Sequence, residues 1–404
     1  MKHDFDIAII GGGINGQVLS LAAANAGFSV ALIDKNKIVG DSLREFDGRA
    51  YAIAFSSVQM MKNLNLWNQI GENAQPIFDI KVTHGTIEKG PASASMQFSN
   101  ADIEESPMAQ MLEDRFLRHC LNTEIKKNGL IDLIEQSKVH EIADFKQKKQ
   151  IILNKKSKIL ASLIVASDGI DSPTAKIFGI KKTGWKYKQK GLVCAIEHEH
   201  SSKNTAYQYF LPSGPLAILP INNHTASIVW TESIQNASTL TEMNDPEFLS
   251  VLQNRFGDFL GQLKLTGKRL SFPLKLSIST KYVSDKFAVV GDAAHGYHPI
   301  AGQGLNAGMR DIAALVDVIS SARYRGENFS SINVLNRYQE WRRFDNQSLG
   351  FATDNLNKMF SSYDPLLGLL KNLSMKIVEN SSHAKRAFMR QAAGLNGDLP
   401  KLMR

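Results

Sequence analysis

Six residues near the start of the chain, Gly11-Gly12-Gly13-Ile14-Asn15-Gly16, limit the possible folds more than any other feature. They satisfy G-x-G-x-x-G and follow Asp6 to Ile10, an Ile-rich run that reads as a buried parallel strand. Ile14 to Ala26, rich in Ala and Leu, reads as a helix ended by Gly27 at its C′ position. Phe28 to Ile33 reads as a second strand, closed by Asp34. Each glycine has its own task. Gly11 permits the tight turn after the strand, Gly13 leaves room for a pyrophosphate against the backbone, and Gly16 lets helix and strand pack closely. The phosphates then meet free N–H groups at the positive end of the helix. Asp34, about twenty residues on, can accept hydrogen bonds from a ribose hydroxyl. An acid there favours FAD or NAD over NADP, whose 2′-phosphate it repels. A glycine string alone says little, but flanked by strand, helix and acid it specifies a dinucleotide-binding unit.

The rest of the chain reads as α/β segments interrupted by sheet. Residues 76–105 and 181–275 carry alternating stretches such as Ala206-Tyr207-Gln208-Tyr209-Phe210, separated by turn clusters such as Leu211-Pro212-Ser213-Gly214-Pro215, which is antiparallel sheet chemistry. The resulting layout is a discontinuous dinucleotide-binding domain at 1–75, 106–180 and 276–340, a substrate-binding sheet domain at 76–105 and 181–275, and a helical segment at 341–404. No apolar run approaches the roughly 18 residues that cross a bilayer. Met1 leads straight into a strand, without the pattern of a secretory signal, so a cytoplasmic location is expected. Cys120 and Cys194 stand far apart at no metal spacing and are expected as reduced, partly buried thiols. No metal site is expected. The net charge of +8 comes without a zinc-finger spacing, an RNA-recognition motif or a dense basic block, which argues against nucleic acid and leaves an anionic lipid surface open.

A second fingerprint follows the strand-like run at 287–290. It reads Gly291-Asp292-Ala293-Ala294-His295-Gly296-Tyr297-His298-Pro299-Ile300-Ala301-Gly302-Gln303-Gly304-Leu305-Asn306. Physically, Asp292 at a strand end can accept bonds from ribityl hydroxyls. Gly302, Gln303 and Gly304 open a helix whose N–H groups can face the flavin N1–C2=O edge and stabilise negative charge on reduced flavin. This run resembles the FAD-ribityl motif of the class A flavoprotein aromatic hydroxylases, and within them that of the ubiquinone-biosynthesis hydroxylases, G-D-A-A-H-x-x-H-P-x-A-G-Q-G-x-N. Ser167-Asp168-Gly169 in mid-chain resembles the family's Asp-Gly signature, although Lys176 stands where the family usually has Arg. Asp47-Gly48-Arg49 and Glu113-Asp114-Arg115 resemble two further family stretches, and the resemblance brings Arg49 and Arg115 to the FAD pyrophosphate or flavin. The likeness extends over nearly the whole chain. His295 and His298 read as backbone-orienting residues rather than proton carriers, and no general base stands out.

The resemblance implies an α/β fold with a Rossmann-like FAD-binding domain of the glutathione-reductase type in its aromatic-hydroxylase subclass, an inserted antiparallel sheet, and C-terminal helices. Its expected cofactor residues are Gly11, Gly13, Gly16, Asp34, Arg49, Arg115, Asp168, Gly291, Asp292, Pro299, Gly302, Gln303, Gly304 and Asn306. It implies FAD as cofactor, NAD(P)H as co-substrate and a flavin hydroperoxide that hydroxylates a polyprenyl phenol in ubiquinone biosynthesis. A single glycine loop fits a family in which NAD(P)H has no Rossmann domain of its own. The substrate pocket is expected between the 204–220 sheet and the 297–303 loop. The alternatives are another oxidoreductase on this fold, such as a prenyl reductase or a halogenase, or a non-catalytic flavoprotein subunit of a quinone-synthesis complex. A polyprenyl substrate also implies contact with a membrane surface or with such a complex, at the inner face of the membrane. Leu366, Leu367, Leu369, Leu370, Leu373 and Ile377, with Lys371, Lys376, Lys385, Arg386 and Arg390 nearby, form a basic amphipathic segment that either packs its apolar face on the FAD domain with its cations in water, or serves that contact.

Overall fold

A computed structural model describes residues 3–38, 40, 43, 45–86, 90–99, 107–154, 157–361 and 378–404. The first sheet is built on the N-terminal strand. Asp4–Ile10 pairs in parallel with Val30–Ile33 on one side and Lys158–Ala166 on the other. Ile131–Ile134 and Phe287–Val289 continue the parallel order outward. Ile7, Ala8, Ile9, Leu163 and Ile164 are fully buried, so these strands are covered on both faces, which is why they read as unbroken apolar runs. The helix Ile14–Asn25 packs against the helix Gln303–Tyr324 beside this sheet. Strand order reverses direction at Asp4–Ile10, and a crevice opens at the carboxyl end of such a strand.

The second sheet has eight strands. Lys182–His198 and Leu263–Ser279, each of 17 residues, pair along most of their length. Pairing is antiparallel as expected except where Thr205–Leu211 lies parallel to Asp79–Thr86, strands brought in from separate parts of the chain. One face buries Leu192, Ile196, Leu211, Ile218 and Trp230 under the helices Ile234–Glu242 and Asp245–Phe256. Alternation turns the neighbouring residues to the other face, towards the first sheet. A small third sheet, Ala50–Ala54, Ala109–Glu113 and Gln75–Ile77, is hydrogen-bonded to neither and packs on the second through Ile77, Met111 and Ala206. The helices Ile332–Phe360 and Ser382–Ala392 follow. Cys120 and Cys194 are buried free thiols, as expected.

Candidate cofactor and substrate site

A cavity of about 1200 Å³ lies at the carboxyl ends of the parallel strands and continues under the open face of the second sheet. Among the expected cofactor residues, Gly11, Gly13, Asp34, Asp168, Asp292, Pro299, Gly302, Gln303, Gly304 and Asn306 line it. The glycines differ in the reasons they must be small. Gly11 has φ +110°, and a side chain there would overlap the Ser167 carbonyl. One at Gly16 would overlap the carbonyl of Gly11. At Gly13 a Cβ meets nothing within 4 Å, so the space it would enter belongs to the cavity. Gly13 is also the N-cap of its helix and has no side-chain cap, so N–H groups at that end remain free for an anion. Asp34 holds the loop from the next strand. Its Oδ2 accepts the Gly12 N–H at 2.6 Å and its Oδ1 the Asn36 N–H at 2.7 Å.

The second fingerprint forms the adjoining wall. Gly291 itself lies behind the wall at φ +57°, where a Cβ would strike the Asn15 side chain. Asn15 is thus wedged between the two fingerprints, a role no spacing rule announces. The Asp292 carboxylate makes no hydrogen bond among the described residues. Enclosure raises its pKa, and nearby His295 and Lys182 oppose that rise. An acceptor of this kind on the cavity wall suits a ligand hydroxyl. Gly302, with φ +60°, caps the helix that Gln303 opens, and a Cβ at Gly304 would again meet nothing within 4 Å. Asn306 is engaged with protein, accepting the Ala54 N–H and donating to the Ala52 carbonyl at 2.9 Å each. Asp168 is likewise engaged, accepting from the Ser172 hydroxyl and from the Thr174 N–H at the start of the short helix Pro173–Ile177. Lys182 ties the two loops together, donating to the Ile170 carbonyl at 2.7 Å and the Asp292 carbonyl at 3.2 Å. Burial lowers the Lys182 pKa to about 8.

Besides Gly16 and Gly291, which lie behind the wall, the two expected arginines are not brought to the cavity. Arg49 is turned to Asp47 at 2.6 Å and Asp114 at 3.3 Å, and Arg115 to Glu113 at 2.6 Å. Neither lines the cavity. Arg118 does, one turn further along the same helix, with Nε 2.8 Å from both oxygens of buried Asp114. The i,i+4 spacing makes the Asp114–Arg118 ion pair readable from sequence, but not that Arg118 borders the cavity. His295 is structural, as expected. Its Nε2 lies 2.6 Å from the fully buried Asp311.

Beyond the fingerprints the cavity turns apolar. Val82, Phe98, Phe210, Phe360 and Met389 line this part and cluster with Ile300 of the 297–303 loop. Both segments expected around the substrate pocket, 204–220 and 297–303, contribute to its walls. The free N–H groups, the empty space beside Gly13 and Gly304, and the unpartnered Asp292 carboxylate fit FAD.

The FAD binding domain family matches residues 4–348 of the chain. The ubiquinone hydroxylase UbiL of Rhodospirillum rubrum is 34% identical over 402 residues, covering 99% of this chain and 92% of the relative. The 3-demethoxyubiquinol 3-hydroxylase of Escherichia coli is 30% identical over 96% of this chain and 98% of its own. In fold, the chain is similar to p-nitrophenol 4-monooxygenase from Pseudomonas putida, with a TM-score of 0.78 over 98% of this chain and 99% of the other at 16% identity. The chain belongs to the FAD binding domain family and, within it, to the class A flavin monooxygenases of the ubiquinone-hydroxylase type.

Proposed function

We propose that this protein hydroxylates the aromatic ring of a polyprenyl phenol intermediate in ubiquinone biosynthesis, with NAD(P)H as electron donor and dioxygen as oxygen source. One observation carries the reading: a single cavity joins the two cofactor fingerprints to an apolar chamber, and the near full-length relatives are named for ubiquinone chemistry. Bound FAD would supply the redox chemistry and the activation of oxygen. The chain's part is to bind, orient and exclude water. Gly13 and the helix it caps receive the pyrophosphate, Asp34 a ribose hydroxyl, and Asp292 the ribityl chain. Gly302 to Gly304 present backbone N–H groups to the flavin edge, and Arg118 takes the place at the cofactor expected of Arg115. Pro299 and the chamber walls shut water away from the reacting ring. The discontinuous division into a cofactor domain, an inserted sheet domain and a C-terminal segment belongs to the same reading.

A polyprenyl chain resides in a bilayer, so the proposal includes peripheral attachment to an anionic membrane face. Among the described residues no helix is long and apolar enough to cross a membrane. The decisive experiment supplies a short-chain prenyl phenol, NAD(P)H and ¹⁸O₂. The expected product is heavier by one ¹⁸O atom, with NAD(P)H consumption stimulated by the phenol. A protein that binds FAD but gives no such product would instead fit the non-catalytic flavoprotein subunit.

A further inference from the structure

The strand Thr205–Leu211 carries one amide into an otherwise apolar surface. Tyr209 and Leu211 pack under the helices Ile234–Glu242 and Asp245–Phe256, so alternation turns Ala206, Gln208 and Phe210 the other way, and all three line the cavity. In-register pairing sets Val82, Gln208, Ala217, Val229 and Val193 in one row across five strands, and each of them borders the cavity. Gln208 is the single polar side chain in that row. Its Nε2 donates to the Leu216 carbonyl at a long 3.4 Å, which orients the amide, since a carbonyl can only accept. Oε1 has no hydrogen-bond partner among the described residues, and it is not sealed in. The side chain keeps partial exposure, and because the other face of its strand is covered, that exposure is towards the cavity.

Its place along the strand matters as much. Two residues before it, Ala206 packs in one cluster with Ala52, whose Cβ lies 3.7 Å from where a Cβ on Gly302 would stand. Two residues after it, Phe210 belongs to the apolar chamber and stacks on Phe360 with centroids 4.0 Å apart. Gln208 therefore stands between the helix start assigned to the flavin edge and the apolar chamber. On the 297–303 loop, the Tyr297 hydroxyl and both His298 ring nitrogens are sealed in and do not reach a ligand. A ligand that fills the cavity expels the water that would otherwise satisfy Gln208 Oε1. The acceptor is then stranded at a cost unless the ligand brings a donor. A phenol O–H brings one, and an unsubstituted ring edge does not.

We propose that Gln208 Oε1 accepts a hydrogen bond from a hydroxyl of the substrate ring and holds that ring between the flavin edge and the apolar chamber. This rests on the functional reading above and adds a specificity-determining residue to it. The test is a titration of the FAD-loaded protein, read by perturbation of the flavin absorbance spectrum. The probes are a short-chain prenyl phenol and the prenyl benzene that lacks its hydroxyl. Gln208→Leu is expected to bind the phenol about fivefold more weakly than wild type, the net contribution of one neutral hydrogen bond, with no loss of affinity for the benzene and an unchanged FAD content. If Gln208→Leu fails to hold FAD, Gln208→Met, unbranched and of matching length, takes its place in the same titration. Equal weakening of both probes, or weakening of neither, overturns the proposal. Loss of FAD from both variants places Gln208 on the cofactor and overturns it as well. The two readings fail separately. A wild-type protein that hydroxylates the phenol while the variant binds it undiminished refutes only this inference, whereas one that neither binds nor hydroxylates a prenyl phenol refutes the function.

Discussion

Gly13 and Gly16, three residues apart in the same loop, differ in what replacement would do. Gly13 has φ −67° and ψ 179°, a conformation open to any residue, and a Cβ there touches no protein atom. Gly13→Val is therefore expected to fold with a melting temperature close to that of wild-type apoprotein and to lose FAD, measured as the flavin-to-protein absorbance ratio. Gly16→Val drives its Cβ into the Gly11 carbonyl and is expected to lose soluble, folded protein, seen by circular dichroism. Equal FAD retention by Gly13→Val and wild type would remove the pyrophosphate from this position. Asp292→Ala is expected to weaken FAD binding by roughly 1.5–3 kcal/mol, the contribution of a hydrogen bond to a charged acceptor. Quenching of flavin fluorescence on titration measures it, and an unchanged affinity would remove the assigned role. The glycine tasks were legible because spacing alone puts a turn, an open cap and a close contact in that order. The arginine was not, because whether a guanidinium reaches the cavity depends on which carboxylate captures it, and Glu113 captures Arg115.

Between elements, one buried carboxylate holds the second fingerprint in place. Asp311 on the helix Gln303–Tyr324 accepts the Gly291 N–H at 3.1 Å and meets His295 at 2.6 Å. It also accepts from Arg342 Nε and Asn346 Nδ2, both at 2.9 Å, which come from the helix Ile332–Phe360. Burial alone would raise its pKa, but His295, Arg342 and Asn346 together bring it down to about 2. A carboxyl lowered on folding stabilises the protein above its unfolded pKa and loses that effect as pH falls through the folded one. The window therefore runs from about pH 4 down to about pH 2. Asp311→Ala, which strands Arg342 in the core, is expected to cost about 3–5 kcal/mol at pH 7. Urea unfolding of wild type and variant at pH 7 and pH 3 measures both effects, and the difference between them should shrink at pH 3. A gap that is constant with pH would show that Asp311 acts through packing. The sequence pointed to a structural histidine at 295 but not to its partners. Arg342 and Asn346 lie on another helix, and no local periodicity records which helix faces which loop.

For the whole molecule, the α/β class, the sheet chemistry of the middle third and the helical end were legible, because each is written in local alternation and turn residues. The parallel pair of 79–86 with 205–211, over a hundred residues apart, and the small sheet, whose strands come from 50–54, 75–77 and 109–113, were not, since register between segments distant in sequence is settled by packing. The membrane-facing surface was placed by sequence at 366–377, which lies outside the described residues, with cations at Lys385, Arg386 and Arg390. Lys385 is ion-paired with Glu379 at 2.8 Å. Elsewhere, Phe344 and Phe351 are 75% and 72% exposed, seven residues apart on one face of a helix. Trp185 is 46% exposed with Lys358 Nζ 4.5 Å above its ring, and Lys186 and Lys188 are exposed on the same strand. Aromatic side chains with nearby cations suit the interface of an anionic bilayer, where each well-placed cation contributes about 1 kcal/mol. The protein is expected to co-sediment with vesicles containing phosphatidylglycerol, weakly with phosphatidylcholine alone, and less at high salt. Replacing Phe344 and Phe351 together by Ser is expected to reduce the bound fraction on anionic vesicles while leaving FAD content unchanged. Arg386→Glu, free of the ion pair that holds Lys385, tests the C-terminal cations separately. Equal binding to neutral and anionic vesicles would dismiss the electrostatic part, and full binding by the double Ser variant would move the contact away from this helix face.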